Sequence, residues 1–154
     1  MTSDQNKLVV RRYIEEVVNT GNLGRIAEFI SAEYVEVYRG PRSPVGLDGA
    51  REHVLGVRQT YPDLYVKIDR QIAEGEWVMT QVTAKGTHLG SWLGMRPTGK
   101  AAEITAVNVD RVVGGRIVEH GGAANSLEAL LEIGAVRVVG TQRDAEHLSS
   151  PRGQ

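Results

Sequence analysis

Residues 101–120, AAEITAVNVDRVVGGRIVEH, decide how the rest of the chain is read. Gly114-Gly115 is a two-residue hairpin signal, because both central positions of the favoured turn need positive φ. Along the first arm, Ala106, Asn108 and Asp110 alternate with Val107, Val109 and Arg111. Such a strand puts polar groups on one face where a buried sheet face would be apolar. That face is where a functional site is expected.

Immediately upstream, residues 77–90, WVMTQVTAKGTHLG, form another extended segment, joined to the hairpin by the Gly-, Pro- and Ser-containing connection SWLGMRPTGK at 91–100. Before it, Leu64, Val66, Ile68 and Ile72 alternate with Tyr65, Lys67, Asp69 and Gln71, predicting a half-exposed strand that turns at residues 73–76. Strands in this succession predict an antiparallel meander. Nearer the N-terminus the period is helical: Leu8, Val9, Tyr13, Ile14, Val17 and Val18 share a face, with Asp4 as N-cap and Gly21 as the stop. A second helix begins near Asn22, after which Tyr34-Val35-Glu36-Val37-Tyr38 turns extended. Gly40, Pro41, Pro44 and Gly46 make a loop, and a third helix, capped by Asp48, runs toward Tyr61-Pro62. Past Gly121-Gly122, the spacing of Leu127, Leu130, Leu131 and Ile133 predicts a last short helix. Helices followed by an antiparallel sheet are the α+β pattern, in which helices cover one sheet face. A sheet curled round them leaves a cone with a pocket inside. Residues 1–136 read as one domain; residues 137–154 contain few apolar side chains and read as a disordered tail.

The chain has 154 residues, a formal net charge of −1 and no cysteine. That is the size of one ordinary domain, with no basic stripe for nucleic acid and no thiol for disulfides, metal or nucleophilic catalysis. No basic-then-apolar leader and no run of ~18 apolar residues occurs, so a soluble, cytoplasmic protein is expected. His53, His88, His120 and His147 share no metal-binding spacing, and GTHLGSWLG lacks the lysine and following helix of a phosphate loop. No metal, cofactor, nucleic acid or membrane partner is therefore expected.

The run GTHLGSWLGMRPTGKAAEITAVNVDRVVGGRIVEHGG resembles the signature region of the SnoaL-like polyketide cyclases, or ester cyclases, of the nuclear-transport-factor-2-like superfamily. The opening helices VVRRYIEEVVNTGNLGRIAEFISAEYVE and the strand TYPDLYVKIDRQIAEGEWV are similar to the same family, so the resemblance spans residues 7 to 136. It implies a cone-shaped α+β barrel with N-terminal helices on a curved antiparallel sheet, a hydrophobic pocket and a homodimer formed through the outer sheet face. It also implies cofactor-independent acid–base ring closure, in the best-known members an intramolecular aldol reaction of a polyketide ester. Other members hydroxylate, open epoxides or form rings pericyclically. The chain departs from the family at three places. Val37 or Tyr38 stands where a histidine is common, Asn125 where an aspartate acts as acid and base, and Gly121 where a tryptophan is frequent.

Ring closure needs a base for one proton and a donor for the developing oxyanion. Asp110 and His120, near opposite ends of the hairpin, are the candidate pair, brought to one face by a small bulge. His88, at the end of the preceding strand, is a third titratable candidate on the same rim. Asn108 is placed to hold a substrate oxygen, and Asn125 to orient a carbonyl. Tyr34, Tyr38, Trp77, Met79 and Trp92 are candidates to line the cavity of a flat hydrophobic substrate, Trp92 as a mouth residue on a movable loop. Each has a bland rival: Asp110 paired with Arg111 or Arg116 on the solvent face, His120 bonded to a backbone carbonyl, His88 solvated, the aromatics plain core. Glu103 and Glu119 are expected to face solvent or a partner. Three functions stay open from the residues: a cyclase acting on a polyketide-like molecule, an epoxide-opening enzyme on the same fold, and a non-catalytic small-molecule binding module.

Overall fold

The computed structural model describes residues 1–37 and 42–140. Helix α1, Ser3–Tyr13, continues into a π turn at Ile14–Val18. Its cap is Thr2 rather than Asp4: Thr2 accepts from the Gln5 amide while the Gln5 side chain accepts from the Thr2 amide, a reciprocal capping box. Asp4, one turn in, pairs with Lys7 instead. The π turn ends at Asn19, whose amide bonds both the N–H and the C=O of Val66 at 2.7 and 2.9 Å and so ties the helix to the sheet. A 3₁₀ turn at Leu23–Arg25 leads into the single-turn helix α2, Ile26–Phe29.

Because α2 is so short, strand β1 starts at Ile30 and runs to Val37, four residues earlier than the sequence pattern marks. Strand β2 is Ser43–Pro44, and α3, Gly46–Thr60, begins two residues before Asp48, which binds Arg51 in the first turn rather than capping. The meander follows as β3 (Tyr65–Glu74), β4 (Trp77–Thr87), β5 (Ala101–Val113) and β6 (Arg116–Asn125), and helix α4 (Ser126–Glu132) closes the described fold. Gly114 and Gly115, at φ 57° and 82°, form the expected hairpin turn. Of the expected tail, residues 137–140 follow α4 without regular structure, and 141–154, with His147, lie outside the described residues.

The sheet order is β2-β1-β6-β5-β4-β3, a curved and unclosed sheet of the expected α+β class. Every neighbouring pair is antiparallel except β1 with β6, which are parallel. The helices lie on its concave face. Val10, Ile14 and Val17 of the N-terminal helix pack with Ile26, Phe29 and Ile30 onto Val78, Val82, Val112 and Ile117 of the sheet. Each such side chain, removed from water, contributes roughly 1.5–3 kcal/mol before entropy is subtracted. A second cluster joins Leu130 and Ile133 of the α4 segment to Tyr61, Leu64 and Ala102.

Two strands run out of phase with expectation. In β3, a bulge between Ile68 and Arg70 inserts one residue, so Val66 and Ile68 face the helices but Ile72 is thrown outward, 60% exposed. In β4, Val78, Thr80 and Val82 take the buried phase. Trp77 and Met79, expected in the cavity, therefore stand on the outer face at 44% and 48% exposure.

Candidate active site

Between the helices and the concave sheet face lies a cavity of about 370 Å³. Its walls are chiefly apolar: Val10, Ile14 and Val18 from the N-terminal helix, Val54 and Val57 from α3, Val82 and Ala84 from β4, Ile104 and Ala106 from β5. Polar groups enter it at few points, the usual composition of a small-molecule pocket.

The polar face read from β5 is one of these points. Ala106, Asn108 and Asp110 all line the cavity. Asp110 is the antiparallel partner of His120 on β6, with the anticipated irregularity falling just beyond, between Arg111 and Val112. His120 Nδ1 lies 2.7 Å from Asp110 Oδ1. Arg111 binds Glu76 through two nitrogens and Arg116 reaches the Ala27 carbonyl, so neither rival cation holds Asp110. Burial by itself would lower the His120 pKa. The Asp110 charge and hydrogen bond, with the Glu36 charge added, outweigh it, and the imidazole is raised above its ordinary value.

Glu36 arrives by register. In the parallel pair, Glu36 of β1 is the partner of His120, so Glu36, His120 and Asp110 form one row across three adjacent strands. The Glu36 Oε1 accepts the Tyr34 hydroxyl at 3.3 Å and meets His53 Nδ1 at 2.9 Å. Burial pushes the Glu36 carboxyl up, but the His53 hydrogen bond and charge, the His120 charge and the Tyr34 hydroxyl bring it below its ordinary value. His53 comes down from α3, and its ring stands edge-on to His120 with centroids 6.0 Å apart. Tyr13 of α1 completes the wall; burial, then the nearby Asp110 and Glu36 charges, push its phenol well above the usual range, so it stays a neutral hydroxyl.

The sequence-derived candidates therefore divide. Asp110, His120, Asn108, Tyr34 and Trp92 line the cavity, Trp92 at its edge on the 89–100 connection. Trp77 and Met79 do not. Asn125 is exposed at the start of α4, its amide on Glu128, and does not orient anything in the cavity. Tyr38 lies outside the described residues. His88 is not a solvated rim group: it is 0% exposed, its ring tilted against that of Tyr61 with centroids 5.6 Å apart, and absent from the cavity wall. Its phase explains this, since His88 extends the buried alternation of Val78, Thr80 and Val82. Its own N–H and C=O bond Lys100 and Gly99, and its Nδ1 lies 3.3 Å from Thr98, so it clasps the base of the 89–100 connection. Glu119, expected to face solvent or a partner, is buried and paired with Arg42 of the same chain. At Gly121, where the family frequently has a tryptophan, a side chain would strike the Val37 carbonyl of β1.

Glu36, His53 and Tyr13 are the groups the sequence reading missed. The signals exist: Tyr34 and Glu36 share a strand phase, and His53 falls in the α3 stripe of Ala50, Val54 and Val57.

A concave sheet, a covering of helices and a largely apolar cavity between them make up a fold of the nuclear-transport-factor-2-like class. The chain belongs to the SnoaL-like polyketide cyclase family, whose model matches residues 7–133. An aklanonic acid methyl ester cyclase of Streptomyces peucetius is 27% identical over 115 residues, covering 73% of this chain and 79% of that protein. The nogalonic acid methyl ester cyclase of Streptomyces nogalater is 28% identical over 110 residues, covering 66% and 78%. Among solved structures, IdmH of Streptomyces antibioticus superposes with a TM-score of 0.73 at 28% identity, covering 84% of this chain and 99% of that one. AclR of Streptomyces galilaeus shares the fold, with a TM-score of 0.76 at 23% identity over 94% and 95% of the two chains.

Proposed function

We propose that this protein closes a ring in a hydrophobic, polyketide-like small molecule by acid–base catalysis, with His120 and its partner Asp110 as the proton-exchanging pair. The observation that carries the reading is the 2.7 Å contact between them on the wall of an otherwise apolar cavity. In such surroundings a charged pair acts at low effective dielectric, where stabilising a developing oxyanion is worth most. Asp110 fixes the ring through Nδ1, and Nε2 is the nitrogen that meets the substrate. Asn108, two residues along the same face, donates to or accepts from a substrate oxygen. The reaction as proposed draws on side chains alone. A carrier role would suit a cavity without titratable groups, whereas His53, Asp110 and His120 all line this one.

The relatives' names supply the first substrates to try, aklanonic and nogalonic acid methyl esters. His120→Ala and Asp110→Asn are each expected to lower kcat/KM for ring closure roughly 100-fold or more. Wild-type turnover in both variants removes the mechanism. The reading includes a homodimer through the outer sheet face, supported by the exposed Tyr65, Ile72, Trp77 and Met79 there. Sedimentation of wild type against Met79→Glu tests it: a monomeric wild type rules the dimer out.

A further inference from the structure

We propose that His53, held by Glu36, is a second catalytic imidazole, the base that takes the substrate's carbon-bound proton while His120, held by Asp110, protonates the oxygen. The assignment rests on the acid–base reading of His120 and extends it to a residue on a different element.

The two imidazoles are arranged alike. Each engages a carboxylate through Nδ1, His53 to Glu36 at 2.9 Å and His120 to Asp110 at 2.7 Å, and both line the same cavity. A carboxylate on Nδ1 fixes ring orientation and strengthens the far nitrogen as a base when the ring is neutral. The rings meet edge-on with centroids 6.0 Å apart at 76°, close enough for both to touch neighbouring atoms of one ligand lying against the pair in the cavity. A base and an acid must each come within about 3 Å of the atoms they serve.

The surroundings set the roles. His120 has the buried Asp110 on one side and Glu36 as its register partner on the other, two carboxylates that favour its cation. His53 meets Glu36, a carboxylate that also accepts the Tyr34 hydroxyl. It is also the more open of the two, its side chain 35% exposed against 17% for His120, so it can pass a proton to solvent. Among the described residues, titratable groups beside the pair include Tyr13 from α1, Tyr34 and Glu36 from β1 and Asp110 from β5.

For an aldol closure the step balances as follows. The C–H bond beside a carbonyl breaks reversibly, its proton goes to Nε2 of His53 and its electron pair is held in the enolate, which then forms the new C–C bond to a second carbonyl carbon. The π pair of that carbonyl becomes an alkoxide, which takes the proton from Nε2 of His120. The product is an isomer of the substrate, with one proton displaced from His120 to His53. His53 releases its proton to water at its open side and His120 takes one back from water in the emptied cavity, which restores the starting state.

Isotope exchange separates the two roles. Aklanonic acid methyl ester is incubated in heavy water with wild type, His53→Gln, His53→Asn and His120→Gln, and mass spectrometry follows both ring closure and deuterium uptake into unreacted ester above the enzyme-free rate. His53→Asn keeps an amide nitrogen near the position of Nδ1 to hold Glu36, so it removes the base with least disturbance. Both His53 variants are expected to lose closure and deuterium uptake by roughly 100-fold, with KM changed less than threefold. His120→Gln is expected to lose closure by a similar factor yet retain most of the uptake. Wild-type uptake by His53→Asn overturns the second imidazole and leaves the His120 reading standing, whereas wild-type closure by His120→Gln removes that reading itself.

Discussion

His120 and Asp110 face each other as antiparallel partners on β6 and β5, Nδ1 2.7 Å from Oδ1, with the carboxylate side chain only 4% exposed. The pair makes stability depend on pH in a definite direction. A histidine whose folded pKa exceeds its unfolded value of 6.5 stabilises the fold fully below that pH and loses the contribution as pH rises through the folded value. Urea denaturation of wild type and Asp110→Asn is therefore expected to show the larger gap below pH 6.5 and a smaller one at alkaline pH. A gap that widens with pH contradicts the pairing.

Glu36 carries the opposite sign. Its carboxyl is held below 4.5, so its contribution is present above that pH and disappears as pH falls through the depressed folded value. Glu36→Gln is expected to flatten the acid limb of the stability profile and leave the alkaline limb in place. Thermal melts at a series of acidic pH values check it.

Two glycines are predicted to respond in opposite directions. Gly56 lies in the exposed interior of α3 with nothing within 4 Å of a new Cβ, so Gly56→Ala is expected to stabilise by about 0.5–1 kcal/mol. Gly122, at φ 152°, lies in the cavity wall, and its Cβ would fall 2.3 Å from the Val107 carbonyl oxygen. Gly122→Ala is expected to destabilise by about 1–3 kcal/mol. Chemical denaturation of both variants decides the matter.

The two tryptophans report on different surfaces. Trp92 touches the cavity and Trp77 stands on the outer face. Binding of a hydrophobic ligand is expected to change the emission of wild type and of Trp77→Phe alike, and to leave Trp92→Phe unchanged. A ligand-induced change that survives in Trp92→Phe places the ligand elsewhere.

How much of this was legible depends on the kind of signal. The β5 polar face and the Gly114-Gly115 turn are local rules, and they led directly to Asp110, Asn108 and His120. The β3 bulge is not local, since alternation alone does not say where a residue will be inserted; Ile72 was therefore assigned to the wrong face. Trp77 and Met79 were weighed by size, although the small residues Val78, Thr80 and Val82 set the phase. The same phase would have put His88 inside. Glu36 and His53 come from different elements and meet only in the folded chain, so no spacing rule joins them, and each had to be found from its own strand or helix face. The resemblance to one family implies a pocket but assigns nothing to Glu36, the neighbour of Val37, where the chain departs from that family.

The parallel pairing of β1 with β6 gives the chemistry a timetable. Glu36 is made early and His120 late, and parallel neighbours need a long crossover, here the whole intervening α3 and meander. Contacts between such distant segments are slow to form because loop closure comes before any reward. A nascent chain emerging from the ribosome can thus form the Glu36–His53 and Asp110–His120 pairs each within one short stretch, but the two pairs come side by side only when the last strand docks beside the first.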